Sequence, residues 1–217
     1  MISPKGRSSD IKKSMIILGG GGHARVLKEI LSLRKCRVLG YTDIKPMPGM
    51  PVPYLGNDDV LKKYPSNKVL VVNGIGSVHL PLMRQKIYEK FKSKGYCFAA
   101  VIHPCAVISA DIVLGEGVQV MAGVVINTGA RIGENVIINT LSGVDHDCLV
   151  DAHTHIAPGV NISGDVCIGR GCHIGTGAKI IQGISIGNGA LIAAGATVVK
   201  NVPAGGQAAG VPARNTK

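Results

Sequence analysis

The sequence predicts a two-part chain, a small α/β Rossmann-like domain followed by a parallel β-solenoid, and three observations carry that prediction. From Ile102 to Val198 every sixth residue is aliphatic without a gap, Ile126, Ile132, Ile138, Val144, Ile156 and Ile174 among them. Upstream, an apolar run at residues 15–18 ends in Gly19, Gly20, Gly21, Gly22 and His23, and the helical spacing Leu27, Ile30, Leu31 follows. Aromatic residues are only 3% and Trp is absent, as suits a core of stacked Ile and Val, while 30 glycines supply corners.

A helix repeats near 3.6 residues and a strand at 2, so a strict period of six requires short straight runs that meet at corners. Each hexad is one side of a coil, and three sides close a triangle. Coils stacked at the ordinary strand spacing form parallel ladders around a dry aliphatic column. The residue four places after each aliphatic one is mostly small or β-branched, as at Val118, Ala130, Ser142, Thr154, Val166, Ala178 and Ala190, which lets the interior close.

The boundaries follow from these patterns: a disordered polar tail over residues 1–14, the Rossmann-like domain over 15–101, and the solenoid with its C-terminal tail over 102–217. Within the first domain, residues 15–18 read as a strand, residues 19–23 as a glycine turn and residues 24–33 as a helix. Glycines let a ligand approach the backbone, and the helix N-terminus offers N–H donors to an anion. Residues 37–42 read as a second strand ending at Asp43, an acid placed either to meet a ribose or base, or to cap the next turn. Residues 45–53 carry four prolines and form a loop, and Asn57 caps a short helix. Residues 68–73 read as a third strand, and Gly74, Ile75, Gly76 and Ser77 turn into a helix whose Leu80, Met83, Ile87 and Phe91 are expected to cover the sheet. Two glycine turns thus share one strand edge, where ligands are expected.

Net charge is +11, with eighteen Lys and Arg against six acids in residues 1–101 and six against seven thereafter. No aromatic-studded basic motif accompanies the excess, so a phosphate-bearing small substrate or solubility accounts for it better than nucleic acid does. No apolar run reaches bilayer length and residues 1–14 lack a signal-peptide core, so a cytoplasmic protein without membrane insertion is expected. The six cysteines show no CxxC or zinc-finger spacing, and Cys148 and Cys172 occupy small-residue hexad positions, which favours packing.

Three stretches in this order suggest a family: the strand with Gly-x-x-Gly-His at 15–23, Asn-Thr-Leu-Ser-Gly-Val-Asp-His-Asp at 139–147, and Gly-Val-Pro-Ala-Arg at 210–214. Around a hexapeptide solenoid they resemble the bacterial sugar O- and N-acetyltransferases of the sialic-acid and bacillosamine pathways. The resemblance implies a left-handed parallel β-helix, acetyl-CoA as co-substrate, a nucleotide-sugar substrate and a homotrimer with its active site between neighbouring solenoids. It also implies site residues: His146 as general base with Asp147 as its partner, and Asn139 near the reacting amine. Relatives commonly carry Glu where Asp147 stands. By the same resemblance His155, Gly164, Thr176 and Ala194 match cofactor-binding positions, Gly164 being a candidate oxyanion donor. Gly20, Gly22, His23, Asp43 and Gly74 match the sugar-nucleotide site.

The chemistry is consistent with those roles. An amine attacking a thioester must lose a proton, so a base of near-neutral pKa is wanted, and a donor must meet the oxyanion. A carboxylate accepting from one imidazole nitrogen fixes the tautomer and raises basicity at the other. His173, eighteen residues after His155, is expected to stack one coil away from it. A zinc reading needs joint ligands, whereas His153 and His155 alternate faces of a strand, so no metal is expected. The leading expectation is an acetyl-CoA-dependent N-acetyltransferase acting on a nucleotide-linked amino-dideoxy sugar for surface-glycan synthesis. Sialic-acid-type O-acetylation and a non-catalytic scaffold solenoid are the alternatives.

Overall fold

The structure, a computed structural model, describes residues 13–216. Of the expected tail, residues 1–12 lie outside the described residues, whereas Ser14 already begins the first strand. Strands β1 (Ser14–Leu18), β2 (Val38–Thr42), β3 (Tyr54–Gly56) and β4 (Val69–Asn73) form a parallel sheet in the order β3-β2-β1-β4. Every residue of β4, and all but the first of β1, is buried, as in a sheet covered on both faces. Helix α1 (Gly22–Leu33) buries Ala24, Leu27, Ile30 and Leu31 against one face. Asn57 caps a 3-10 turn over Asp58–Lys63 by accepting from the Asp59 N–H. Strand β3 escapes sequence reading because three residues between a proline-rich loop and a cap carry no alternation.

Helix α2 (Leu82–Lys92) corrects the expected packing. Its buried residues are Arg84, Tyr88 and Phe91, whereas Met83 is exposed, and five residues of irregular chain separate Gly76 from its first turn. The physical reason is that α2 packs on two partners. Phe91 joins the sheet cluster, while the Tyr88 ring lies 4.4 Å from Phe98 and 5.3 Å from His153 of the solenoid, and its hydroxyl donates to Glu134.

The solenoid has three parallel ladders whose successive strands are eighteen residues apart. The first face runs through Val101–Ile102, Gln119–Val120, Ile137–Ile138, His155–Ile156, His173–Ile174 and Leu191–Ile192. The second face begins at Val107–Ile108 and includes Gly143–Val144, and the third includes Leu149–Val150 and Cys167–Ile168. Inside, the every-sixth aliphatic residues form one column, and Ile138, Ile156, Ile174 and Ile192 have no exposure. Each such burial is worth roughly 1.5–3 kcal/mol against leaving the side chain in water. Val118, Ala130, Ser142, Thr154 and Val166 are buried at the corners. An antiparallel hairpin, Gln207–Gly210 with Ala213–Asn215, closes the last coil of the first face.

The third residue after each column aliphatic takes the left-handed backbone conformation, with φ between 55° and 73° from position 117 to position 195. Glycine is the residue that tolerates this region without steric cost. Glycine occupies most of these corners, but Asn135, Leu141, Asp147, His153 and Asp165 do not follow the rule.

Candidate active site

The N-terminal sheet stands on the first face of the solenoid, with Val101, Met121 and Ile137 joining the cluster that α1 and the sheet bury. Between them lies a cleft of about 720 Å³ lined by both glycine turns, Asp43, Met47, Asn139, Thr140 and His155. In the first turn the Gly20 N–H donates to Asp43 at 2.8 Å, and the second Asp43 oxygen accepts from the Ile44 N–H. The acid therefore ties the turn to the end of β2, and the capping alternative applies only to the Ile44 N–H. A Cβ on Gly20 would sit 2.5 Å from the Tyr41 ring, and one on Gly74 would sit 2.7 Å from the Leu18 carbonyl oxygen. Both positions require glycine for close approach. Gly22 opens α1 with Arg25 as its nearest side-chain neighbour.

His23 projects from the first turn to Gln119, its Nε2 lying 2.7 Å from the amide oxygen, and burial lowers its pKa to about 4. His155 is buried on the first face, its Nδ1 at 2.7 Å from the Ser77 hydroxyl and its Nε2 at 3.3 Å from the Asn139 amide nitrogen. Burial, followed by the neighbouring His173, lowers its pKa to about 3. The two rings meet edge to face across coils, with centroids 5.1 Å apart and planes at 83°.

A second constellation lies at the corner between the second and third faces. His146 Nδ1 is 2.9 Å from Asp147 Oδ2. The shorter acid reaches the ring from the left-handed corner position, φ 59°. Asp145 points elsewhere, accepting from Asn127 and from the His146 N–H. The hydrogen bond to Asp147, with the charges of Asp145, Asp147 and Asp165, holds the His146 pKa above its ordinary value. Asp147 accepts only, so Nδ1 carries the proton and Nε2 is the free base. One coil on, Gly164 lies against the imidazole, where any Cβ would collide with it. Its N–H makes no hydrogen bond among the described residues.

Thr176 and Ala194 occupy successive coils of a third location, the exposed corner between the first and second faces. The sequence-predicted residues thus fall in three places. Gly20, Gly22, His23, Asp43, Gly74, Asn139 and His155 share the cleft. His146, Asp147 and Gly164 stand at the far end of the second face from it. His153, expected on a strand, sits instead at a corner with φ 62°, bonded to Asn135 and Arg170. Among the described residues no group of three or more His, Cys, Asp and Glu is placed to hold a metal ion. No described helix is long and apolar enough to cross a membrane.

Sequence reasoning missed the buried polar knot between the two parts. Arg84 is completely buried and donates to the carbonyls of Asn73, Ile75 and Asn135, with its pKa lowered to about 9 by burial. Asn73 donates to the Arg84 carbonyl and to the Asn135 side chain, and Gln119 donates to the Asn73 carbonyl. One signal was present at a period of eighteen. The outward residues of the first face, Val101, Gln119, Ile137, His155, His173 and Leu191, include no Lys, Arg, Asp or Glu, while the other faces carry Arg131 and Lys179. Such a column is one that another part of the chain covers.

A parallel β-helix carrying an exposed histidine–carboxylate pair beside a bare glycine, and joined to a glycine-turn α/β domain, defines a hexapeptide-repeat acyltransferase. Residues 14–91 match the family described as the PglD N-terminal domain. UDP-N-acetylbacillosamine N-acetyltransferase of Bacillus subtilis (strain 168) is 34% identical over 117 residues, 51% of this chain and 52% of that protein. The matched region therefore spans about half the length of that curated relative. A histidine-to-asparagine mutant of perosamine N-acetyltransferase from Caulobacter crescentus, solved with CoA and GDP-perosamine, is 36% identical with a TM-score of 0.89, over 95% of this chain and 98% of that one. The acetyltransferase domain of PglB from Neisseria gonorrhoeae FA1090, solved with acetyl coenzyme A, is 32% identical with a TM-score of 0.86, over 94% and 98%. The chain belongs to the bacterial sugar acetyltransferase family.

Proposed function

We propose that this protein transfers an acetyl group from acetyl-CoA to the amino group of a nucleotide-linked amino sugar used for bacterial surface glycans or glycoproteins. The carrying observation is the His146–Asp147 pair set against Gly164. The relatives solved with CoA, acetyl-CoA and GDP-perosamine support the choice of substrates. Acetyl-CoA supplies the acetyl group as an activated thioester. His146 Nε2 takes the proton that the amine loses as its nitrogen bonds to the acetyl carbon, while the Asp147 carboxylate holds Nδ1–H and steadies the imidazolium. The Gly164 N–H offers a donor to the oxygen on which charge develops. The departing thiolate then receives a proton, and His146 returns to its basic form. The exposed corner at Thr176 and Ala194 presents backbone to the cofactor.

In one chain the base and the cleft stand a full side of the coil apart, so the reading includes a homotrimer in which the His146 corner of one solenoid faces the cleft of the next. It also includes the cytoplasm, where the six free cysteines stay reduced. The test is incubation with acetyl-CoA and a panel of UDP- and GDP-amino sugars and sialic acids, following thiol release. Turnover with a nucleotide-linked amino sugar is expected. Turnover with sialic acid alone would replace the reading by O-acetylation, and none at all by a scaffold. Light scattering that gives a monomer at full activity would remove the trimer.

A further inference from the structure

Each glycine turn is tied to the first face of the solenoid through a histidine, and the hydrogen-bond geometry fixes where both protons are. Gln119 donates its amide N–H to the Asn73 carbonyl at 2.8 Å, a partner that can only accept. Its amide oxygen therefore faces His23 Nε2 at 2.7 Å and requires a proton there. A neutral His23 then has a bare lone pair at Nδ1, which lies against Gly76 and has no partner among the described residues. At the second turn the order is reversed. Asn139 accepts the Thr140 N–H on its amide oxygen at 2.8 Å, so the amide nitrogen is what faces His155 Nε2 at 3.3 Å. The amide nitrogen donates, so His155 Nε2 must accept, and the proton of a neutral His155 resides on Nδ1 and is donated to the Ser77 oxygen at 2.7 Å. The Ser77 hydroxyl hydrogen then has no acceptor among the described residues, and Ser77 lines the cleft. Burial keeps both rings neutral, with pKa values lowered to about 4 and about 3.

We propose that Gln119 and Asn139 are positioning residues that lock His23 and His155 in opposite neutral tautomers, so that the cleft meets its ligand with one bare acceptor, His23 Nδ1, and one free donor, the Ser77 hydroxyl. This assignment rests on the reading of the cleft as the nucleotide-sugar site and adds to it which part of the ligand goes where. A phosphate oxygen only accepts, so it is repelled by a bare imidazole nitrogen. A ribose or hexose hydroxyl both donates and accepts and suits the pair. Among the described residues no Lys or Arg lines the cleft, and the Gly20 N–H is held by Asp43, so the phosphates are left to the Gly21 and Gly22 N–H groups of the first turn.

The first test is independent of substrate: long-range proton–nitrogen spectra of the full chain labelled with 15N-histidine, at pH 7, assigned with His23→Gln and His155→Gln. His23 is expected as the Nε2–H form and His155 as the Nδ1–H form. The same tautomer at both, or an imidazolium at either, overturns the proposal. The second test is kinetic. Ser77→Ala should raise KM for the nucleotide-linked amino sugar about 5-fold, the order of one net hydrogen bond, with a smaller change in KM for acetyl-CoA, whose matched residue His155 keeps its Asn139 contact. Ser77→Thr restores the hydroxyl and should restore KM. An equal loss in both variants would reduce Ser77 to a packing residue and sink the assignment. Opposite tautomers in a protein that turns over no amino sugar would defeat the functional reading alone. Like tautomers in an active enzyme would defeat this inference alone.

Discussion

Two stretches of the solenoid share one backbone and differ in what stands at the corner. From residue 171 on, the left-handed position is always glycine, at Gly171, Gly177, Gly183, Gly189, Gly195 and Gly205. Between 135 and 165 it is Asn135, Leu141, Asp147, His153, Gly159 and Asp165. A side chain in this conformation costs about 1–2 kcal/mol, less for Asn and Asp, so its retention calls for a reason. For four of the five the structure supplies one. Asn135 binds Asn73 and His153; His153 packs on Tyr88 and meets Arg170; Asp147 holds His146; and the charge of Asp165 raises the His146 pKa. Nothing among the described residues explains the exposed Leu141 beyond its cover over Gly123. The repeat departs from its own rule where the docking surface and the proposed base are built.

The largest effect should come from the histidine that the Asp147 corner serves. His146→Ala is expected to lower kcat by roughly 10²–10⁴-fold, with a much smaller change in KM for acetyl-CoA. Steady-state kinetics on a variant with unchanged circular dichroism and molecular mass checks this. A folded His146→Ala protein with wild-type turnover would end the mechanism.

The solenoid was legible because a period of six has no other physical meaning, whereas the residues alone place Asp145 and Asp147 equally beside His146, and it was the family resemblance that implied the Asp147 pairing found in the structure. The polar knot was not legible. Arg84 lies on a helix whose apolar spacing points to Met83 and Ile87, and only the solenoid, pressing on another face of that helix, makes Arg84 and Tyr88 the buried residues. Gln119 and Ser77 were invisible for the same reason: one is an outward residue in a ladder, the other a turn residue, and their meaning arises from contact across the two parts. Position three of the hexad was a usable signal left unread. Its glycines lapse at 135, 141, 147, 153 and 165, and three of those lapses, Asn135, Asp147 and His153, make side-chain hydrogen bonds.

The next effect separates the buried histidines from the exposed one. His23 and His155 titrate near 6.5 when unfolded and at about 4 and about 3 when folded. Between pH 6.5 and 4 the unfolded chain therefore binds more protons, so stability is full above pH 6.5 and falls as pH falls. Each such proton changes stability by about 1.4 kcal/mol per pH unit. Urea denaturation at pH 7, 6 and 5 should show this loss, and His23→Gln should flatten the slope by about one proton. A midpoint independent of pH across that window would mean that the rings are not buried neutral.

Asn135→Gly restores the glycine rule and tests what the exception is for. The substitution relieves backbone strain but leaves the His153 Nδ1 and one Asn73 N–H without their partner in a buried site. Leaving buried polar groups unsatisfied costs about 1–3 kcal/mol, more than the strain it removes at an Asn. A net loss of roughly 1–2 kcal/mol is expected by chemical denaturation. A gain in stability would show that the corner side chain is incidental to docking.

The smallest effect concerns the charge at the neighbouring corner. Asp147→Asn keeps the shape and the left-handed tolerance but removes the negative charge that favours the imidazolium. Its kcat should fall less than that of His146→Ala, since the base is still present. The sign of the pH effect is fixed by the same contact. The bond to Asp147 and the nearby acids hold the His146 pKa above its ordinary value, and the proposed base works only when neutral, so the acidic limb of the wild-type kcat profile is expected to lie correspondingly high. Removing the charge lowers that pKa and must carry the limb to lower pH. Asp145 and Asp165 remain and retain part of the elevation, so the limb should move only part of the way. The substrate amine can titrate in the same range, which is why one substrate must serve both profiles. A limb that stays in place while kcat falls would mean that Asp147 orients the ring without setting its basicity, and a limb that moves to higher pH would remove His146 from the role of base.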